Sequence, residues 1–407
     1  MRAATLCVKT TPTGEFFMDG YGSEERKLPA LGVHDEPCSV LLLLEVEQVR
    51  TLFVSLDVCN ASRKRTAKLR SLLCDALDLT DEQIVVSAIH SHSCPTGFRD
   101  GGLTGKESYG YPELVTGLIV QAATMLPAQL VDVTADVLTT NVRGWYSNRN
   151  SQDKLFDDSA YVIRFCDEAG ACVAAMLNFN CHATVVGPSN RYLTTDVQGG
   201  VRAKIGEWLG VVPYAFTGAS GDLGNRQFRQ GNDFAELARV TCGIAGEIMK
   251  GAFDALTFDR PVSSCFHKDI DYDNTAFFDT YRKKLAEAQR CLDDETSSFD
   301  EKKLAKTEVV RLAERLEIDR IEFPLEMRVY DYGPIVFVTF PGELGSVLGL
   351  RIKSMFPGKI VLVIGYANDA QGYFVPKDDF GLGYESYVTK LYPGGIEQVL
   401  DEFEEQL

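Results

Sequence analysis

The chain has 407 residues, of which 45% are hydrophobic and 24% charged, the composition of a globular protein with a sizeable core. Its net charge of -17 argues against nucleic acid as a partner, because affinity for phosphates comes from Lys and Arg. The same charge argues against an anionic membrane surface. Beyond these two exclusions, solubility is a sufficient explanation of the acidic surface, and neither the partner nor the oligomeric state follows from it.

The 11 cysteines include no C-x-x-C pair, and several lie within apolar runs. We expect reduced, mostly buried thiols rather than a disulfide framework or a cysteine-based zinc site. Residues 1–9 lack the apolar core of a signal peptide. No apolar run approaches the 18 residues of a transmembrane helix. Together these features predict a cytoplasmic protein.

The first third of the chain predicts a hairpin followed by a strand–helix–strand unit. Residues 39–45 and 51–58 are apolar, and the short polar connection between them indicates two hairpin strands. Residues 61–77 predict a helix, since their apolar residues recur at spacings of three and four. Residues 84–89 form a short β-branched run that predicts a buried strand. A glycine-rich loop at 94–110 is long enough to be functional.

The strand at 84–89 ends in two of the chain's 5 histidines, His90 and His92. Alternate side chains of a strand share a face, so both rings can point the same way. Two interpretations remain open from this segment alone. One ring satisfies a buried hydrogen bond while the other faces water, or the pair belongs to a metal or catalytic site.

Further apolar strands also end in polar residues. The strands predicted at 171–179, 335–340 and 359–364 lead to His182, to Glu343 and to a segment that contains Tyr373. In a sheet with parallel strands the C-terminal ends lie along one edge, where ligands bind. Two or three histidines with a carboxylate suit a catalytic zinc, which keeps one position open for water.

The region 275–317 differs from the rest, because it is rich in charge and its apolar residues have helical spacing. It predicts a helical hairpin, either a lid or a solvated helix pair with no role. Overall we expect an α/β fold in one domain, 1–407, with a mixed, largely parallel sheet flanked by helices and this hairpin as an excursion.

Seven motifs in chain order resemble those of the neutral, non-lysosomal ceramidases, zinc amidases that cleave the N-acyl bond of ceramide. They are Gly32-Val33-His34-Asp35, the segment from Ile89 to Gly97, Asn148-Arg149-Asn150, the segment from Asn180 to Thr184, the segment from Thr195 to Gly200, Pro341-Gly342-Glu343, and the segment from Asn368 to Tyr373. The resemblance implies a zinc-dependent amide hydrolase of lipid, and specifically sphingolipid, metabolism. Its expected substrate is a small N-acyl amide or lipid-like molecule.

The resemblance also implies roles for individual residues. The zinc ligands would be His90, His182, Glu343 and Tyr373. By the same resemblance His92 and Arg149 would sit beside the metal and interact with the scissile amide and the attacking group. Asp222 either orients a metal ligand or caps a turn.

The chain departs from the family pattern at the expected nucleophile. Gly224 stands where the family has a serine, and Ser220 lies four positions earlier, where a turn would point it elsewhere. This favours direct attack by metal-activated water. The C-terminal β-sandwich domain and the signal peptide of the ceramidases are also not expected here, which leaves ceramide itself open as the substrate.

Two alternatives to an amidase remain. A zinc esterase or deacylase acting on a small polar substrate is favoured if the pocket is shallow and polar. A catalytically silent metal-binding domain is supported by Gly224, while the intact His92 and Arg149 argue against it.

Overall fold

The computed structural model describes residues 1–99 and 102–407. Residues 100 and 101 of the predicted glycine-rich loop lie outside the described residues. In chain order the strands are β1 Arg2–Lys9, β2 Gly32–Val33, β3 Cys38–Val46, β4 Val49–Leu56, β5 Ile84–Ala88, β6 Val131–Asp132, β7 Thr134–Asn141, β8 Ser147–Asn148, β9 Ser159–Cys166, β10 Cys172–Phe179, β11 Tyr192–Leu193, β12 Tyr214–Thr217, β13 Leu223–Gly224, β14 Phe253–Leu256, β15 Val262–Asp273, β16 Arg320–Asp331, β17 Ile335–Thr339, β18 Glu343–Leu344, β19 Ile360–Ile364 and β20 Tyr373–Phe374.

The α-helices lie between and after these strands. They are α1 Arg63–Leu77, α2 Tyr111–Ala123, α3 Asp196–Leu209, α4 Phe234–Ile248, α5 Phe278–Asp293, α6 Phe299–Leu316, α7 Ser346–Ser354, α8 Tyr384–Val388 and α9 Gly395–Gln406. Among the described residues, no helix combines the length and apolarity that crossing a membrane requires.

The chain forms two compact units. The first comprises Met1–Cys265 and Arg328–Ala370, and the second comprises Phe266–Met327 and Gln371–Leu407. The chain leaves the first unit within β15 and returns to it within β16.

The first unit contains two five-stranded sheets, ordered β5-β4-β3-β1-β6 and β12-β10-β9-β7-β14. Strand β3 explains how they pack, because it is buried along its whole length. Its Leu42 and Leu44 belong to a core shared with the second sheet, whereas Leu41 and Leu43 pack with α1 and α2. Strand side chains alternate between faces, so an uninterrupted leucine run buries both sides of the sheet.

Helices α3 and α4 pack against the other sheet in the same way, through Val201, Ile205 and Val240. The first unit is therefore layered helix–sheet–sheet–helix, which confirms the predicted mixed α/β fold. The expectation of a largely parallel sheet is wrong, because each of these two sheets has one parallel pair and its other neighbours are antiparallel.

The parallel strand pairs determine where the site lies. Hairpin neighbours such as β3 and β4 are antiparallel, with a tight turn in which Glu47 and Gln48 both have positive φ. Besides the short pair β2–β11, parallel pairing occurs at β4–β5, β10–β12 and β17–β19, which are connected through α1, α3 and α7. A parallel pair needs such a crossover, so these are three strand–helix–strand units.

The second unit carries the predicted helical hairpin, confirmed as α5 and α6. Ser298 and Glu301 form a reciprocal capping box at the start of α6. The C-terminal helix α9 packs in the same unit, where the rings of Phe266 and Phe403 lie 5.6 Å apart. The assignment of 1–407 to one catalytic domain stays a prediction.

Candidate metal centre

Each of the three strand–helix–strand units contains one strand whose C-terminal end leads to a predicted ligand, and these three ligands lie together. His90 follows β5, His182 follows β10, and Glu343 follows β17. The Nε2 atoms of His90 and His182 are 3.0 Å apart. Glu343 Oε2 lies 3.2 Å from His90 Nε2 and 3.8 Å from His182 Nε2. All three side chains are buried, so we call them the triad.

Hydrogen bonds to backbone carbonyls fix the tautomer of both triad histidines. His90 Nδ1 is 2.8 Å from the carbonyl oxygen of Cys59, and His182 Nδ1 is 3.2 Å from that of Ser220. A carbonyl oxygen can only accept, so each Nδ1 donates its proton. In a neutral ring of this tautomer, Nε2 directs its lone pair into the triad, as in metal-ligating histidines.

The triad fits a divalent metal ion. Without a cation, two nitrogen lone pairs and a carboxylate oxygen would repel one another across 3.0 to 3.8 Å. A tetrahedral zinc with bonds of about 2.0–2.1 Å holds its ligand atoms about 3.3 Å apart. The spacing and the nitrogen–oxygen donor set therefore fit a divalent metal ion.

The backbone at the triad is strained. His90 has φ 62° and Tyr366, which follows β19, has φ 54°. Left-handed residues other than glycine cost about 1–3 kcal/mol and cluster at functional sites. This conformation lays the Tyr366 ring on the His90 ring, with centroids 4.1 Å apart and planes 20° apart. Sequence reasoning missed Tyr366, although its place at a strand end was an available signal.

His92 lies beside the triad, with its Nε2 3.1 Å from His90 Nε2. Burial lowers the pKa of His92 well below its usual value, and the nearby Arg149 cation lowers it further. The ring is therefore neutral near pH 7. Tyr21 packs edge-on against it at 5.0 Å, and a Cβ on Gly20 would come within 2.4 Å of His92 Cα. These close contacts fix the ring's position.

The positive charge of Arg149 acts on the histidines of the site. Burial is the main cause that lowers the pKa of His182, and the Arg149 cation is the next. The Arg149 backbone N–H donates to the carbonyl of Asp222 at 2.8 Å. Arg149 therefore combines a positive charge near the triad with an anchored backbone.

Asp222 links two segments of the site. One carboxylate oxygen accepts the backbone N–H of Ser346 at 2.8 Å, and the other accepts the side-chain amide of Asn148 at 2.8 Å. Ser346 begins α7, just after Glu343, and Asn148 precedes Arg149. Asp222 thus holds the Arg149 and Glu343 segments together, and its proposed catalytic role stays a prediction.

The two positions considered for a nucleophile differ in their surroundings. A Cβ built on Gly224 would have His182 Cβ as its nearest neighbour, at 4.0 Å, so this position borders the triad and has open space. Ser220 is fully buried and its Oγ lies 2.9 Å from Tyr366 Oη. The Ser220 hydroxyl is therefore engaged by the tyrosine that stacks on His90.

Tyr373 lies in the second unit, within β20, and is buried. Its carbonyl accepts a hydrogen bond from Thr389 Oγ1 at 2.7 Å. Its assignment as a fourth ligand stays a prediction. His34 of the early motif is exposed and stacks on Phe234, with ring centroids 3.8 Å apart, so it takes no part in the triad.

Asp196, in the motif from Thr195 to Gly200, shapes the loop after His182. Its carboxylate accepts the backbone N–H groups of Val185, Val186 and Val197 at 2.7 to 3.1 Å. Asp196 itself has φ 51°. The motif therefore fixes the backbone that follows a triad ligand.

Comparison with known proteins finds two neutral ceramidases of Dictyostelium discoideum. Neutral ceramidase B is 25% identical over 170 residues, which cover 37% of this chain and 24% of the relative. Neutral ceramidase A is 22% identical over 211 residues, which cover 47% of this chain and 29% of the relative. The matched region thus spans less than two thirds of either relative. No family model matches the chain.

Solved structures extend the similarity to the whole chain. The crystal structure of neutral ceramidase from Pseudomonas aeruginosa superimposes with a TM-score of 0.77 at 16% identity, over 100% of this chain and 75% of that one. A ceramidase complexed with C2 gives 0.72 at 15% identity, over 97% and 72%. The predicted resemblance to neutral ceramidases is confirmed: the chain is neutral-ceramidase-like in sequence and in fold.

Proposed function

Because this chain is neutral-ceramidase-like, we propose that it is a zinc-dependent hydrolase that cleaves the amide bond of an N-acyl, lipid-like substrate. The observation that carries the proposal is the triad, in which the Nε2 atoms of His90 and His182 lie 3.0 Å apart and 3.2 and 3.8 Å from Glu343 Oε2. Such a donor set is typical of a catalytic zinc site with an open position.

His90, His182 and Glu343 would hold the ion, and Tyr373 is the proposed fourth ligand. When bound, zinc would polarise the amide carbonyl and make water nucleophilic near neutral pH. The carbonyl oxygens of Cys59 and Ser220 keep both imidazoles in the tautomer that ligation needs.

Arg149 and His92 would act on the substrate. The guanidinium of Arg149 can stabilise negative charge that develops on the carbonyl oxygen. His92 is neutral because burial lowers its pKa, so it can accept a proton during attack and return it to the leaving nitrogen. Asp222 would support the site by fixing the segments on which Arg149 and Glu343 lie.

Gly224 favours attack by water rather than by a side chain. The position bordering His182 has no hydroxyl, and the Ser220 hydroxyl is bonded to Tyr366. A mechanism without an acyl-protein intermediate follows. The same glycine is the observation that favours a silent metal-binding domain as the second candidate.

One experiment distinguishes these candidates. We would measure the zinc content of the purified protein and its turnover of a fluorogenic short-chain ceramide, before and after chelation. We expect about one zinc per chain and cleavage that chelation abolishes. Zinc without cleavage of any N-acyl amide or ester offered would support the silent domain, and cleavage that survives full metal removal would contradict the proposal.

Variants make the test specific to the triad. His182→Ala should lose both zinc and turnover. The matched control is His267→Ala, because His267 is exposed and bonded to Asp269 outside the triad. Equal zinc content in both variants would contradict the ligand assignment.

A further inference from the structure

A pair of thiols away from the triad lies on adjacent strands. The register of β1 and β3 pairs Cys7 with Val40 and Lys9 with Cys38. Cys7 and Cys38 are thus diagonal neighbours, and residues paired in this way share a face of the sheet.

The two thiols differ in exposure. Cys7 is exposed, whereas Cys38 is 7% exposed. The neighbouring strand β6 pairs with β1 only at Arg2 and Ala3, at the opposite end from Cys7. A small reagent in solution can therefore reach Cys7 before Cys38.

The surroundings of Cys7 lower the pKa of its thiol. The hydrogen bond with Cys38 is the main cause that lowers the pKa of Cys7, burial opposes it, and the Arg202 cation lowers the pKa further. Arg202 is itself held by both carboxylate oxygens of Asp57, at 2.6 and 2.7 Å. The pKa of Cys38 is raised, chiefly by the same hydrogen bond, so Cys38 keeps its proton.

We propose that Cys7 and Cys38 form a peroxide-sensitive dithiol that closes reversibly into a disulfide between β1 and β3. An exposed thiol of lowered pKa beside a second thiol is the arrangement of redox-sensing cysteines. The inference is independent of the hydrolase proposal, because none of these residues belongs to the triad.

The chemistry balances with hydrogen peroxide as the oxidant. The Cys7 thiolate attacks one peroxide oxygen, the O–O bond breaks, and Cys7 becomes a sulfenic acid while hydroxide leaves and takes up a proton to become water. The Cys38 sulfur then attacks the Cys7 sulfur, the S–O bond breaks, and a second water leaves with the Cys38 proton. Both sulfurs are oxidised and both peroxide oxygens are reduced to water.

The geometry makes this bond a reducible one. The Cα atoms of diagonal neighbours in an antiparallel pair are about 7–8 Å apart. Most disulfides span Cα distances of about 4.4–6.8 Å, so β1 and β3 must draw together slightly. The resulting strain raises the reduction potential, and an ordinary dithiol reductant should reopen the bond.

A second pair in the same unit provides an internal comparison. Cys166 and Cys172 are directly opposite one another in β9 and β10. Burial raises the pKa of Cys172 to about 11 and also raises that of Cys166. With neither thiol ionised, this pair should react more slowly despite its closer register.

The test treats the full-length reduced protein with graded hydrogen peroxide, alkylates the remaining thiols, and maps linked peptides by mass spectrometry. We expect the Cys7–Cys38 link to form at least about tenfold faster than a Cys166–Cys172 link and to disappear with dithiothreitol. Failure of the Cys7–Cys38 link to form first, or its persistence in dithiothreitol, would overturn the proposal.

Single substitutions separate the two roles. In Cys38→Ser a sulfenic acid should accumulate at Cys7 and be trapped by dimedone, whereas Cys7→Ser should leave Cys38 alkylatable after peroxide. The control is Cys242→Ser, which removes another exposed cysteine and should leave the Cys7–Cys38 link unchanged. Trapping at Cys38 instead of Cys7 would reverse the assigned roles and so contradict the proposal.

Discussion

His90 and His182 face each other with their Nε2 atoms 3.0 Å apart, and when both rings are neutral neither atom can donate a proton to the other. Each ring already donates its Nδ1 proton to a backbone carbonyl. The nearby Glu343 carboxylate adds negative charge to this contact. The folded protein therefore holds together groups that repel, and a bound cation would convert that repulsion into stabilisation.

Zinc should raise the stability of the wild-type protein. Ligand binding to the folded state alone adds about 2.7 kcal/mol to the free energy of unfolding when the free ion is at 100 times its Kd. We expect zinc to raise the Tm of the wild type and of His267→Ala, but not that of His182→Ala, in thermal unfolding with and without chelator. An equal shift in all three proteins would assign the zinc effect to another site.

The pair of Ser220 and Tyr366 tests whether Ser220 is a nucleophile. Their hydroxyl oxygens are 2.9 Å apart and both residues are fully buried. Ser220→Ala should therefore destabilise by about 1–3 kcal/mol, because it leaves the tyrosine hydroxyl unsatisfied. Turnover of the folded variant should remain within about tenfold of wild type, a loss far smaller than removal of a nucleophile causes.

The double variant Ser220→Ala with Tyr366→Phe supplies the control for that stability effect. Removing both hydroxyls leaves no orphaned partner, so its free energy of unfolding should lie closer to wild type than that of Ser220→Ala. Loss of all turnover in Ser220→Ala, with turnover retained in Tyr366→Phe, would instead identify Ser220 as the nucleophile.

Gly224 can be replaced by serine without disturbing the fold. The nearest atom to an added Cβ is 4.0 Å away, and Gly224 does not have positive φ. Replacing a glycine that an L-residue can match restricts the unfolded chain, which stabilises proteins by about 0.4–1 kcal/mol. We expect Gly224→Ser to unfold at an equal or higher denaturant concentration than wild type, and a marked loss of stability would show that the space is not open.

Much of the triad could be predicted because strand ends are visible in a sequence. The runs before His90 and His182 are short, apolar and β-branched or alanine-rich, and the polar residue that follows each is conspicuous. The apolar leucine run of β3 likewise predicted a strand. In each case the local pattern agrees with the tertiary role.

The contacts that support the triad could not be predicted from a sequence pattern. The proton on each histidine is fixed by the carbonyls of Cys59 and Ser220, and every residue has a carbonyl. The stacking of Tyr366 on His90 needs left-handed backbone at both residues, which propensity disfavours. Strands next to the helix-linked parallel pairs run antiparallel to them. Their direction is set by the length of the connections and is not encoded in the residues of the strands.

Arg149 should matter for turnover more than for stability. Its cation lies near the rings whose pKa values it lowers, so we assign it to the negative charge that develops on the substrate. Arg149→Met should reduce kcat by about 10²–10³-fold with a smaller effect on KM, since such groups act mainly in the transition state. Steady-state kinetics on the zinc-loaded variant measures this, and a change confined to KM would assign Arg149 to ground-state binding instead.

Asp196 should make the protein's stability fall as the pH rises. Burial raises the pKa of Asp196 from 3.8 to about 6, and the three backbone N–H donors oppose this only in part. Between these pH values the folded protein holds a proton that the unfolded chain releases. The free energy of unfolding therefore contains a contribution that is complete below about pH 4 and lost as the pH rises through about 6, up to about 3 kcal/mol.

The variant Asp196→Asn isolates this contribution, because an amide does not titrate in the range. We would measure urea unfolding of both proteins from pH 4 to 7 in the presence of a chelator, so that metal binding does not add its own pH dependence. The free energy of unfolding of the wild type minus that of the variant should decrease across this interval, whatever the variant's constant loss of hydrogen bonding. A difference that stays level with pH would mean that the buried carboxylate remains ionised throughout, with its three backbone donors outweighing the cost of burial.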